Sequence, residues 1–84
     1  MERVGVIGIV VQAPCEQVGK LQDLLSSYSD IIVGRMGVPV RECNINAISV
    51  IVKGSNERIS ALCGKLGKID GLAVKSALTS LTIE

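Results

Sequence analysis

A four-stranded antiparallel sheet with two helices on one face, in the order βαββαβ, is the α+β fold class this sequence predicts. Three observations carry that reading. Two segments, Glu2–Gln12 and Ile45–Lys53, are β-branched and apolar on both alternating sets, as central strands are. Two others carry apolar residues at three- and four-residue steps, the repeat of an amphipathic helix. A proline falls inside a third strand-like run, which confines that strand to a sheet edge.

Each element follows in turn. Glu2–Gln12 is the first strand. Behind it, Pro14 sits where a first helical turn tolerates proline. Cys15, Val18, Leu21, Leu25 and Tyr28 then form the stripe of a helix of about four turns. Ile31–Glu42 returns as the second strand, interrupted by Gly34, Gly37 and Pro39, with a kink or bulge expected near Gly37–Pro39. Glu42, Cys43 and Asn44 turn the chain into the third strand, Ile45–Lys53. Ser55 is a suitable helix cap and Glu57 complements the dipole of the first turn. Ile59, Leu62, Cys63, Leu66 and Ile69 make the second stripe, which Gly71 is expected to stop. Gly64 and Gly67 cost about 1 kcal/mol each inside a helix relative to Ala. They point to close packing or to an end near Gly67, because a phosphate loop needs a different spacing. Leu72–Ile83 is the last strand. Two strand–helix–strand units joined by a hairpin give the ferredoxin-like sandwich, and right-handed crossovers set the strand order at 4-1-3-2. The chain of 84 residues is read as a single domain, 1–84.

One set of strand residues (Val4, Val6, Val10, Met36, Val38, Val40, Ile48, Val50 and Val52) is sufficient to meet the helices. The opposite set still holds Ile7, Ile9, Val11, Ala47 and Ile51, relieved by Arg35, Arg41, Ser49 and Lys53. A helix-free sheet face in water should alternate to polar residues. An aliphatic patch on two adjacent central strands therefore predicts an oligomer interface at Ile7, Ile9, Ala47 and Ile51.

Composition excludes several chemistries. Nine Lys+Arg against eight Asp+Glu leave a net charge of +1, with no footprint for direct nucleic-acid binding or an anionic membrane. Aromatics are 1% of the chain, so base stacking on the first and third strands is out; Ile7, Ile9, Ser49 and Ile51 stand there instead. With no His, the commonest general base and metal ligand is missing, and neither a catalytic centre nor a metal or other cofactor is expected. The first loop, Gln12-Ala13-Pro14-Cys15, lacks the CxxC of a soft-metal chaperone, and no Arg lies between Gln12 and Ser29 to cradle an acyl phosphate. Three Cys are too few for an iron–sulfur cluster ligated by four thiolates. The apolar run Val4–Val11 is far short of the roughly 20 residues of a membrane helix, and its flanks do not suit a signal peptide. An odd cysteine count without a disulfide framework fits a reducing interior, so the cytoplasm is expected.

Cys15 and Cys43 lie at the same end of this topology, and a thiol at a helix N-terminus is stabilised as thiolate. A thiol-based metal or redox sensor is therefore the alternative functional reading. Cys63, on the apolar stripe, reads as a small core residue. Arg35 and Arg41, flanking Gly37-Val38-Pro39, are the best anion-binding candidates.

The run from Gly34 to Glu42, with its G-x-P-V-R-E, and the segment Leu62–Ile69, with Gly64-Lys65-Leu66-Gly67, resemble the regulators of the iron-only hydrogenase system. These are ACT-like domains, related in fold to the nickel-sensing C-terminal domain of a bacterial repressor. The resemblance covers nearly the whole chain. It implies an oligomerising βαββαβ domain that regulates hydrogenase genes or maturation, acting through a protein partner or a small molecule. It does not carry over the repressor's metal site, which uses His, nor its ribbon-helix-helix, because the first strand here begins at Glu2. ACT-type ligands bind where the loop after the first strand meets a neighbouring protomer. The expected module is thus non-enzymatic, a homodimer or dimer of dimers, taking a small-molecule effector near Gln12, Ala13 and Pro14 with Arg41 as a charged contact.

Overall fold

The computed structural model describes residues 1–12 and 17–83. The elements are β1 (Glu2–Gln12), α1 (Val18–Ser27), β2 (Ile32–Val40), a short 3-10 turn η1 (Arg41–Cys43), β3 (Ile45–Gly54), α2 (Asn56–Gly67) and β4 (Leu72–Ile83). The four strands form one antiparallel sheet in the order β2-β3-β1-β4, the predicted 4-1-3-2. The doubly apolar strands are central, and Pro39 lies on edge strand β2 opposite Asn46.

Local chemistry sets the boundaries. The Ser55 side chain accepts the Arg58 backbone N–H at 3.2 Å, the N-cap bond that starts α2. Replacing Ser55 by Ala should cost about 1 kcal/mol, read as a lower denaturant midpoint with unchanged slope. The helix ends at Gly67 rather than at Gly71. Gly71, at φ 85°, instead makes the turn into β4, a conformation that needs no side chain. Asn44, at φ 54°, makes the corresponding left-handed step out of η1. Pairing is regular through Gly37–Pro39. The irregularity of β2 lies between Ile32 and Gly34, because glycine there, not proline, relaxes the ladder.

Both helices pack on one face. Leu21 and Leu25 of α1 and Ile59, Leu62 and Leu66 of α2 close over Ile7, Ile9, Val50 and Val52. Gly5 shares this face, opposite Val52 and Leu78. At the end of α1, Asp30 accepts two bonds of 2.9 Å from the Arg58 guanidinium, and Arg58 and Lys65 each lie 5.1 Å from the centre of the Tyr28 ring. The exposed ion pair contributes about 1 kcal/mol or less, but it ties the two helices together.

One sequence-based assignment is corrected. Ile7 and Ile9, expected at an oligomer interface, are 0% and 1% exposed and lie in the core, as does Val11 in burial. The residues expected under the helices, Val4, Val6 and Val10 of β1 and Met36, Val38 and Val40 of β2, are exposed instead. The reason is register. Ile7 lies opposite Val50 and Ile9 opposite Ile48, so the isoleucines of β1 share the helix face of β3, and the larger side chains fill the space under α1 and α2. For β3 the assignment stands: Val50 and Val52 are buried, and Ile51 faces away from the helices.

Candidate functional site

Two of the predicted ligand residues, Gln12 and Arg41, lie at the same end of the sheet. Gln12 ends β1 opposite Ile45, and Val40 ends β2 opposite the same Ile45, so β3 alone separates them, about 10 Å across two strand spacings. Arg41 follows Val40 directly in η1, and both Gln12 and Arg41 are exposed. An open depression of about 160 Å³ lies between Pro39, Arg41, Asn44 and Asn46. Ala13, Pro14 and Cys15 lie outside the described residues.

On the helix side of the same end is a groove of about 250 Å³ that sequence reasoning missed. Val11, Val18, Leu21 and Ile48 form its apolar walls, Pro39 its rim, and Gln22 and Asn46 its amide groups. Its cause is Gly37, on the helix face of β2 opposite Ile48, where a Cβ would meet only the Ile48 side chain, at 3.8 Å. A side chain there would fill the space. The glycine in the edge strand was the available signal, but it read as a bulge. A second depression, of about 310 Å³, separates the end of α1 from β2, between Ser26, Ser29 and Arg35. Arg35 sits there beside the negative end of the helix dipole, which disfavours an anion.

On the helix-free face three successive rows cross β2, β3, β1 and β4, the outer two aliphatic and the middle one mixed. Gly34, Ile51, Val6 and Ala77 make one, Met36, Ser49, Gly8 and Lys75 the next, and Val38, Ala47, Val10 and Ala73 the third. Val6 is 43% exposed, Ile51 42% and Met36 64%. The two predicted interface residues that do stand on this face are Ala47 and Ile51.

Cys43 is exposed on η1, and Cys63 is half-buried against the core as its stripe position implied. Among the described residues no group of three carboxylate or thiol side chains is placed to hold a metal ion. No helix among them is long and apolar enough to cross a membrane.

Residues 3–76 match the TM1266-like family, described as "iron-only hydrogenase system regulator, putative". The chain belongs to this family. Among solved structures it is similar to the uncharacterized protein TM1266 from Thermotoga maritima, at 36% identity and a TM-score of 0.90, over 95% of this chain and 100% of that one. The resemblance inferred from Gly34–Glu42 and Leu62–Ile69 is therefore the family itself. More distant structures share the fold alone. An unknown protein from Galdieria sulphuraria has a TM-score of 0.64 at 15% identity, covering 99% of this chain and 48% of that one. The C-terminal domain of the MgtC protein from Mycobacterium tuberculosis has 0.61 at 16%, covering 96% and 92%. No curated protein matches the sequence.

Proposed function

We propose that this member of the regulator family is a non-enzymatic, ACT-like module of the cytoplasm. It assembles as a homodimer or dimer of dimers and takes a small organic effector at a subunit interface. The observation that carries this reading is the helix-free face, where Val4, Val6, Val10, Met36, Val38 and Ile51 stand exposed together. Such a surface is costly in water and is relieved when a second copy covers it. The effector site is the end of the sheet where Gln12 and Arg41 flank β3. The neighbouring groove, apolar with amides at Gln22 and Asn46, suits a molecule with an aliphatic body, and Arg41 suits an acidic group on it.

Native mass spectrometry of protein purified gently from its own host tests this. The expected result is an oligomer retaining an organic molecule. A bound metal would favour the thiol alternative at Cys15 and Cys43 over it, and an empty oligomer would leave a structural adaptor. Arg41→Ala should lower effector affinity about tenfold or more, the loss of one charge-assisted contact. It should leave the thermal midpoint of the effector-free protein unchanged, because Arg41 is exposed.

A further inference from the structure

We infer that two copies of this chain pack helix-free face on helix-free face about a two-fold axis running along β3. In that arrangement each Met36 seats over the partner's Gly8. The inference rests on the proposed reading that a second copy covers this face, and it specifies how.

The middle row across the face decides the geometry. Its order is Met36, Ser49, Gly8, Lys75, one residue from each strand. At its centre is a depression of about 220 Å³ floored by Gly8, Ala47 and Ser49 and walled by Val10, Met36 and Val38. Nothing inside the protomer requires glycine at position 8. A Cβ there would meet only the Lys75 carbonyl oxygen, at an ordinary 3.8 Å. Glycine inside a strand weakens it and commonly marks the close approach of something else.

A symmetric face-to-face pair needs its two-fold axis in the plane between the sheets. An axis across the strands lays β4 on β4 and draws Lys75 under the partner. An axis between β1 and β3 sets Gly8 over Ser49, hollow over hollow, and Met36 over Lys75. An axis along β1 sets Gly8 over Gly8 and Lys75 over Ser49. These three leave an unfilled void, a covered ammonium group or both, and each is unfavourable. The axis along β3 sets Met36 over Gly8 twice, once from each copy, and Val38 over Val10. It leaves β4 overhanging, so Lys75 stays in water. A long, flexible, 64% exposed thioether side chain is well suited to fill an irregular hollow.

The area suffices. Three overlapping strands of 9 to 11 residues cover roughly 14 by 33 Å, about 450 Å² of flat footprint per copy. With side-chain relief, the pair reaches the ~1,000 Å² a specific interface requires. Packed sheets cross at up to about 30°, so the match holds best at the central row.

Sedimentation equilibrium of the wild type, Gly8→Leu, Met36→Ala and the double variant tests the arrangement. Gly8→Leu should raise the dissociation constant about tenfold or more, while circular dichroism and thermal midpoint report a folded protomer. Met36→Ala should weaken association less. The double variant should associate more tightly than Gly8→Leu alone, because the new leucine enters the space the methionine vacates. Should Gly8→Leu not fold, Gly8→Ala with Met36→Ala provides the same cycle. A Gly8 variant that associates like the wild type, or one that Met36→Ala fails to rescue, overturns the β3 axis while leaving the oligomer in place. A monomeric wild type overturns the covering copy itself.

Discussion

Alanine at Ile7 should destabilise the protomer by about 2–5 kcal/mol, measured by urea denaturation. Ile7 is 0% exposed and packs in the cluster that includes Val50 and Leu62. Removing its outer carbons leaves a cavity between two layers that cannot collapse onto each other. A domain of this size has a total stability on the order of 4–13 kcal/mol, so the loss approaches unfolding. Alanine at Val6, the adjacent residue on the opposite face, should change the protomer's own stability by about 0.5 kcal/mol or less. In the dissociated protomer, a similar cost at the two positions would contradict the assignment of faces on β1.

Valine at Gly5 should cost about 1–3 kcal/mol through overpacking. A Cβ at this position would stand 2.5 Å from Leu78 Cδ2 and 3.1 Å from the Ala77 carbonyl oxygen. The first contact is with the end of a flexible side chain, but the second is with backbone that is held in the β1–β4 ladder. Leu78→Ala in the same chain should therefore recover only part of the loss. Gly5 and Gly8 are three residues apart on one strand and behave oppositely. Gly5 faces the helices and is required by its own protomer, whereas Gly8 faces outward with room above it.

Element order and sheet order were legible because β1 and β3 carry aliphatic residues on both alternating sets, Pro39 must lie at an edge, and Ser55 and the leucine stripes mark α2. The facing of β1 was not. Alternation cannot orient a strand whose two sets, Val4/Val6/Val10 and Ile7/Ile9/Val11, are equally aliphatic. The information lay across strands rather than along one. Ser49, Lys53 and Lys75 pair with Gly8 and Val4, and these polar partners mark the helix-free side. At the candidate site, Gln12 and Arg41 could be brought to one end by topology alone. The groove between α1 and β2 could not, because it comes from a side chain that Gly37 lacks and from where α1 rests.

The central claim, that sister copies cover the aliphatic sheet face, is tested most directly by sedimentation equilibrium of the wild type over a wide concentration range. A mass of twice 8.8 kDa or a higher even multiple is expected. A single 8.8 kDa species at every concentration would contradict it.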